Sequence, residues 1–363
     1  MPPNRTDPLL MLISIPAMMM RGGTSRGMYF VKSELSATGA DLDRLLPALM
    51  GSPGRDQVDG LGGGSSTTSK VAIVSRSDHA DVDIDYLFAQ VNPVSGKVDW
   101  RPTCGNVLAG IAPFAIERGM VTAGPEQTNV RVRLVNTGAR AVCTVPTPDG
   151  SIRYDIDEPG ALPATPVQVS FRDFVGGSTG RLLPTGSPSD FVDGTEFSAV
   201  DAGVCAVIIR AADVGIRGDE TQSEINANSL LLQRISSIRA KAADLMGMGD
   251  VKDSVLPKVM LVSDGGGVAD ITSRYFVPDT CHPAHAVSGG VCLAIAARTP
   301  GTIVASQIRD AGTASPKFTV AHPSGTIELG VTGDGIQTNV TVGRTTRKLF
   351  DGQVFATLHG VAC

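Results

Sequence analysis

Lys70 and Cys104 are the two residues of this chain whose types and settings best suit proton transfer. Lys70 follows the hydroxyl run 67–69 and begins a β-branched stretch, whereas Cys104 directly precedes Gly105-Asn106 and an apolar run. Partial burial makes a lysine usable for proton transfer, and the free amides at the start of a helix favour a thiolate. We therefore predict Lys70 and Cys104 as catalytic acid/base residues.

The segment that follows Cys104 is apolar nearly all round and ends at a charged turn and Gly119, which predicts one buried helix over 104–118. Close to half the chain length further on, Ser288-Gly289-Gly290 leads into a second apolar run. This repetition indicates a duplicated domain. The amides of Gly105-Asn106 and of Ser288-Gly289 are predicted anion ligands; the alternative for Ser288 is an ordinary N-cap.

A glycine-rich segment, 20–27, supplies further candidate ligands for an anion. It contains Arg21, Thr24, Ser25 and Arg26 between glycines. Arginine presents a planar fork to a carboxylate, and glycine lets the backbone approach a ligand closely. We predict a carboxylate clamp that uses Arg21, Thr24 and Ser25, with exposed turn arginines as the alternative.

The second glycine-rich segment, 59–70, contains Gly63 and the hydroxyl residues Thr67, Thr68 and Ser69 ahead of Lys70. Its spacing does not match a nucleotide phosphate loop, because the lysine follows three hydroxyl residues and a strand rather than a helix comes next. The segment instead predicts a backbone nest that binds carboxylates, with Lys70 in the same pocket. A solvated surface lysine is the alternative.

Histidine and cysteine usage limits the remaining chemistry. His282 and His285 precede Ser288, and His282 is predicted to bind substrate or assist proton transfer, with a structural histidine equally open. The chain has 5 His and no HExxH, so we predict no metal site. Its 6 cysteines show no CxxC spacing, which is typical of a reduced cytoplasmic protein; Cys143, Cys205 and Cys363 are core thiols by default.

Composition predicts a two-domain enzyme of small molecules. The length of 363 residues and the net charge of -5, without any Lys/Arg cluster, favour two domains and exclude nucleic acid and membrane as expected partners. Many short alternating or β-branched runs predict an α+β fold with a largely antiparallel sheet, and 176–189 is the predicted linker. The predicted strands are 71–75, 82–91, 130–136, 141–145, 202–209, 258–262, 302–306, 317–320 and 325–331, and the longest predicted helix is 220–245.

Three motifs in this order, MRGGTSRG at 20–27, DGLGG with TSKVA across 59–72, and CGN with PFAIERG across 104–119, resemble the PrpF-type isomerases. The resemblance covers nearly the whole chain. It implies a diaminopimelate-epimerase-like fold of two pseudo-symmetric domains, each with a central helix wrapped by mostly antiparallel sheet. The implied division is 1–180, with Lys70 and Cys104, and 181–344, with Ser288, while a strand in 345–363 returns to the first domain.

The same resemblance implies a cofactor-independent isomerase or tautomerase of an unsaturated tricarboxylic acid. Within the family it points to members that act on 4-oxalomesaconate in gallate and protocatechuate catabolism. Aconitate, 2-methylaconitate and methylitaconate isomerases are alternatives, and an amino-acid epimerase and a non-catalytic carboxylate-binding protein are remoter. Ser288, where epimerases of this fold carry a second cysteine, disfavours a two-thiol racemase. Arg26 and Thr103 depart from the family pattern, and both lie at positions where substrate specificity could be set.

For the assembly, we expect a homodimer as the possibility to test.

Overall fold

The computed structural model describes residues 10–157, 162–277, 279–308, 315–333 and 338–359. Strands dominate these residues and pair into one continuous sheet. The strands are β1 (Leu10–Gly22), β2 (Ser25–Val31), β3 (Lys70–Arg76), β4 (Ile84–Val91), β5 (Val98–Asp99), β6 (Gln127–Leu134), β7 (Arg140–Pro146), β8 (Thr165–Arg172), β9 (Asp190–Val192), β10 (Thr195–Ala202), β11 (Val204–Arg210), β12 (Lys258–Asp264), β13 (Ile271–Tyr275), β14 (Lys317–His322), β15 (Gly325–Thr332) and β16 (Asn339–His359).

The helices are fewer and mostly short. They are α1 (Lys32–Ser36), α2 (Leu42–Met50), α3 (Gly105–Leu108), α4 (Ile111–Glu117), α5 (Gln222–Ala227), α6 (Ser229–Leu245), α7 (Val287–Ala296) and α8 (Ile303–Gln307), with short 3-10 turns at Pro148–Gly150 and Ala211–Val214. Among the described residues, no helix combines the length and apolarity that crossing a bilayer requires. The mixed, sheet-dominated architecture confirms the predicted α+β class.

The order of strands repeats within the sheet. In the first half β2 pairs parallel with β3, β3 antiparallel with β4, β4 parallel with β6 and β6 antiparallel with β7. In the second half β11, β12, β13, β14 and β15 follow the same succession of parallel and antiparallel pairs. The sequence repeat seen at Cys104 and Ser288 is therefore also a repeat of topology.

The last strand ties the two halves together. Across its length β16 pairs with β15, with β8 and, from Thr346 to His359, with β1. The C-terminal strand thus lies against the first strand of the chain, although residues 360–363, including Cys363, lie outside the described residues. The division of domains near residue 180 stays a prediction.

The two central helices meet at Gly105. A Cβ atom at this position would lie 2.8 Å from Cβ of Val287 in α7 and 3.3 Å from the ring of Phe171. Two buried tyrosines anchor the turn that Gly105 begins: the Tyr29 hydroxyl donates to Val107 O at 2.5 Å and the Tyr86 hydroxyl donates to Cys104 O at 3.3 Å. The halves approach closely because glycine has no side chain there.

The single helix predicted over 104–118 is wrong, because the chain forms α3 and α4 with a break at Ala109-Gly110. Pro113 explains the break: it has no N–H to donate to the carbonyl of Ala109, and its ring clashes with that carbonyl in a continuous helix. The Tyr29 hydroxyl occupies the space beside Gly110 at this break, since a Cβ at Gly110 would lie 2.4 Å from it.

Two further element predictions are wrong, and both errors come from side-chain capping. The predicted strand 302–306 is helix α8, because the Thr302 hydroxyl accepts from the amide of Ala305 and begins a helix. The predicted helix 220–245 is two helices, since Asn228 ends α5 and its side chain accepts from Leu231 N to cap α6. Neither a run of β-branched residues nor a helical spacing of apolar residues reveals where these two helices begin.

We expect Gly105→Ala to lower the free energy of unfolding by about 1–3 kcal/mol, because the new methyl overpacks the contact between α3 and α7. Urea denaturation measures this loss. Gly343→Ala is the matched control, since a Cβ at Gly343 would meet nothing within 4 Å. Adding Val287→Ala to Gly105→Ala should recover part of the loss, and strict additivity of the two changes would contradict the contact.

Candidate active site

Cys104 lies at the contact between the two halves, as the N-cap residue of α3. Its backbone is extended, with φ -135° and ψ 103°, and the residue is only 8% exposed. No amide of α3 donates to the Cys104 thiol, and the helix is one turn long. The expected amide ligation of a thiolate is therefore not seen in this geometry, although the thiol stays beside the turn's amides.

Asn106 joins the Cys104 turn to the loop 20–27. Its Nδ2 donates to the Thr24 hydroxyl at 2.9 Å, and a Cβ at Gly23 would lie 2.3 Å from Asn106 Oδ1. That Oδ1 is buried and has no hydrogen-bond partner among the described residues. Buried polar atoms are normally satisfied, so Asn106 Oδ1 is an acceptor held ready for a donor.

Arg21 and Ser25 hold the loop in place. The Arg21 guanidinium donates to Gly23 O at 3.0 Å and to the Thr345 hydroxyl at 3.0 Å, which links the loop to β16. Ser25 is buried and pairs with Gly22 in the β1–β2 register. Both predicted carboxylate ligands thus lie in the site region, but Arg21 already serves the loop's own structure.

Lys70 is held by the neighbouring strand. Its Nζ donates to Gln90 Oε1 at 2.7 Å and lies 5.2 Å from the centre of the Phe88 ring. The amide of Gln90 in turn donates to Ser69 O at 2.9 Å and to Ser66 O at 3.2 Å. Gln90 therefore fixes both the amine and the loop before it.

The hydroxyl residues ahead of Lys70 divide between the interior and the surface. The buried Ser69 hydroxyl donates to Gln57 Oε1 at 2.5 Å, so it points into a local network. The hydroxyls of Thr67 and Thr68 both reach Ser65 Oγ, at 3.0 and 2.9 Å. Thr67 O also accepts from the amide of Arg26 at 2.9 Å, which joins the two glycine-rich loops.

Two arginines line this region with unsatisfied nitrogens. A Cβ at Gly63 would lie 2.7 Å from Arg26 Nη2, and one at Gly23 would lie 3.1 Å from Arg344 Cδ. The Nε atoms of Arg26 and Arg344 are buried and find no hydrogen-bond partner in the part of the chain that the structure describes, and burial lowers the pKa of Arg344 to about 10. In the described part of the chain neither forms an ion pair with a carboxylate.

In the second half, α7 begins at Val287 with Ala286 as its N-cap, so Ser288 lies in the first turn of the helix and the alternative of an ordinary N-cap at Ser288 is wrong. Ser288 is buried and interacts with Tyr275. It also lines a cavity with Thr103 and Asp201. Gly289 packs beneath Tyr275, since a Cβ there would lie 2.5 Å from that ring.

The two histidines upstream of α7 are buried and neutral. Both ring nitrogens of His285 are engaged, with Ala286 O at 3.0 Å and Ser273 Oγ at 3.1 Å, and burial lowers its pKa to about 3. His282 Nδ1 accepts from Ala284 N at 2.9 Å. Burial and the nearby charge of Lys70 lower the pKa of His282 to about 4. The charge of Lys70 therefore acts on His282, whereas both ring nitrogens of His285 are bonded within the fold.

Sequence reasoning missed Lys258, a buried lysine that interacts electrostatically with both Lys70 and Cys104. A signal for it exists, since KVMLVS at 258–263 repeats KVAIVS at 70–75. It also missed Arg344, which only the return of β16 brings to the loop 20–27. The described residues gather no group of three or more His, Cys, Asp or Glu able to hold a metal.

The architecture belongs to the class of two-half, epimerase-like α+β proteins. The fold is similar to that of a hydroxyproline epimerase from Agrobacterium vitis, with a TM-score of 0.54 at 12% identity over 96% of this chain and 93% of that one. It is more similar to a methylitaconate-delta-isomerase, with a TM-score of 0.76 at 32% identity over 95% of this chain and 96% of that one.

The PrpF protein family model matches residues 12–357, and the chain belongs to that family. It is 41% identical to the 4-oxalomesaconate tautomerase of Pseudomonas putida, over 94% of this chain and 95% of the relative. It is 42% identical to the (4E)-oxalomesaconate Delta-isomerase of a Novosphingobium species, over 94% of this chain and 97% of the relative. The family resemblance inferred from the motifs is confirmed.

We expect the free energy of unfolding to fall as pH decreases below about 6.5. The reason is that His282 and His285 become protonated in the unfolded chain but stay neutral in the folded protein, where burial lowers their pKa values. Each histidine that stays neutral costs up to about 2 kcal/mol at pH 5. Thermal melts between pH 5 and 8 measure the slope. His285→Asn should flatten it and the exposed control His79→Asn should not; equal slopes in all three proteins would contradict the neutral His285.

Proposed function

We propose that this protein is a cofactor-independent isomerase of 4-oxalomesaconate that moves a proton within the unsaturated tricarboxylic acid. The observation that carries the proposal is a set of cations on the glycine-rich loops and the strands next to them that have no carboxylate partner among the described residues. Arg26, Lys70, Lys258 and Arg344 form no ion pair among the described residues, although the chain carries a net charge of -5. A ligand with several carboxylates supplies the missing charge.

The relatives favour the particular acid. Two proteins at 41% and 42% identity, each matched over 94% of this chain, are named for 4-oxalomesaconate or its (4E) form. The methylitaconate-delta-isomerase is less similar, at 32% identity. We therefore place 4-oxalomesaconate ahead of methylitaconate, 2-methylaconitate and aconitate as the substrate.

The proposed reaction needs one proton removed and one returned. A base takes a proton from the carbon next to the conjugated system, which gives a dienolate, and an acid protonates the other end of that system or its oxygen. We assign this work to Lys70 and Cys104. Atoms and charge balance within the substrate, so the step needs no cofactor.

Charge stabilisation falls to the groups around the pair. The dienolate and the carboxylates need donors already in place, because donors that are preorganised in a dry site stabilise developing charge strongly. We propose that the dienolate and the carboxylates are held by Arg26, by Arg344 and by the amides of Gly105-Asn106. The Thr67 and Thr68 hydroxyls are proposed as further donors. Gln90 keeps the Lys70 amine directed, and Thr24 keeps Asn106 directed.

Two other features of the proposal concern the setting. We propose a cytoplasmic enzyme, since its relatives are enzymes that act on small acids, and a homodimer as the assembly to test. An amino-acid racemase is the second candidate by fold, but Ser288 at the second helix removes the second thiol that such a mechanism uses.

The test follows 4-oxalomesaconate by proton NMR in deuterium oxide with wild type, Lys70→Ala and Cys104→Ala. We expect wild type to place deuterium at an allylic carbon. The expected loss of kcat in each variant is at least about 10²-fold, the usual contribution of a general acid or base. If only Lys70→Ala loses exchange, one base serves both positions.

Matched controls keep the result specific. Lys252→Ala removes an exposed lysine and Cys205→Ala removes a buried thiol from the other half, and both should keep wild-type exchange. Wild-type rates in Lys70→Ala and Cys104→Ala would move the acid/base groups elsewhere. Turnover of methylitaconate or aconitate in place of 4-oxalomesaconate would contradict the assigned substrate.

A further inference from the structure

Lys258 occupies in the second half the position that Lys70 occupies in the first. Each begins a similar six-residue segment, KVAIVS at 70–75 and KVMLVS at 258–263, with four of the six positions identical. Each also begins a strand that pairs in parallel with the strand before it, Gly27 opposite Lys70 and Ala206 opposite Lys258. The duplicated topology therefore delivers two lysines, one from each half.

The two lysines differ in what lies across the sheet. Gln90 is opposite Lys70 and accepts from its Nζ. β12 pairs with β13 as far as Met260 opposite Tyr275, and Phe276 N donates to Val259 O at 2.9 Å, so Val277 is the next residue along this edge toward Lys258. Valine offers no side-chain acceptor. Among the described residues Lys258 accordingly has no side-chain hydrogen bond and no ion pair, although it is only 8% exposed.

The charged groups around Lys258 come from both halves. Lys70, Cys104 and Asp99 belong to the first half, and Arg239 of α6 and His282 belong to the second. The buried Arg239 donates to Pro257 O and Leu256 O, both at 2.8 Å, and so fixes the chain just before Lys258. Burial, then Lys70 and Arg239, lower the pKa of Lys258 to about 7.

A lysine that is only 8% exposed and forms no hydrogen bond or ion pair through its amine among the described residues is costly, and apolar side chains would fill the same volume at lower cost. Because Lys258 interacts electrostatically with both Lys70 and Cys104, a ligand bound at those residues is the natural partner for its amine. We propose that Lys258 is a substrate-binding cation of the same site, whose ammonium pairs with a carboxylate of the unsaturated tricarboxylic acid. The inference rests on the proposed function for the identity of that acid.

Substrate binding through the Lys258 ammonium should depend on pH. In the empty site the amine is partly deprotonated at neutral pH, and an anion nearby favours its ammonium form. Binding therefore takes up a proton, and KM rises as pH rises above about 7. Removal of the amine abolishes this dependence. The same substitution removes a desolvated charge that lowers the free energy of unfolding. Its stabilising effect should be larger at pH 6, where the amine is charged, than at pH 9.

The experiment compares wild type, Lys258→Met, Lys258→Arg and the exposed control Lys252→Met, with KM, kcat and thermal midpoints measured from pH 6 to 9. We expect Lys258→Met to raise KM about tenfold or more at pH 6, with a smaller change in kcat and a flat pH dependence of KM. Its thermal midpoint should equal or exceed that of wild type. Lys258→Arg should keep a low KM at pH 9.

Two results would overturn the inference. One is an unchanged KM profile in Lys258→Met; the other is a lower thermal midpoint with KM and kcat impaired together, which marks a structural lysine. If wild type turns over none of the unsaturated acids, the proposed function fails, and tricarballylate then serves as the probe. A tricarballylate-induced rise in the wild-type thermal midpoint that is lost in Lys258→Met supports the inference, and equal rises or none refute it.

Discussion

Positive charge that is half-buried or buried without an internal counterion is the constraint on which the proposed site depends. Elsewhere on the surface arginines pair closely with carboxylates, as Arg131 does with Asp83 and Arg133 with Asp85. Around Cys104 the cations have no such partners in the described part of the chain. Desolvated charge costs free energy that only an anion nearby offsets. This is the physical reason for the proposal that a polyanionic ligand completes the site.

The architecture makes that arrangement rigid. The sheet is continuous through both halves, and β16 carries Arg344 back to the loop that contains Gly23. Gly105 lets α3 and α7 touch, so Cys104 is set by packing from both sides. Tyr29 and Tyr86 fix the same turn from beneath by donating to its carbonyls. A site built in this way is preorganised for charge, since few of its groups need to move.

Sequence patterns predicted the parts that local chemistry encodes. The motifs around Arg21, Lys70 and Cys104 predicted the family and the α+β fold, because residues adjacent in the sequence encode glycine-rich loops and the alternation of strands. The helix break at Gly110 and the capping by Thr302 and Asn228 went unpredicted, since side-chain capping and a proline overrode the apolar period.

Tertiary pairing determined what the sequence could not predict. Arg344 is distant in sequence from Gly23, and nothing in its neighbours marks it before β16 is placed. Lys258 could have been found, because its segment shares four of six residues with the Lys70 segment, but its lack of a hydrogen-bond acceptor follows only from tertiary packing. The unpartnered Oδ1 of Asn106 likewise follows only from packing against Gly23.

The most direct measurement is a calorimetric titration of the wild-type protein with tricarballylate, glutarate and butyrate, which carry three, two and one carboxylates and no double bond to isomerise. An anion-completed site predicts saturable binding of one tricarballylate per chain, with affinity that falls at each loss of a carboxylate and weakens with added salt. Equal affinities for the three acids, or no saturable binding of tricarballylate, would contradict it.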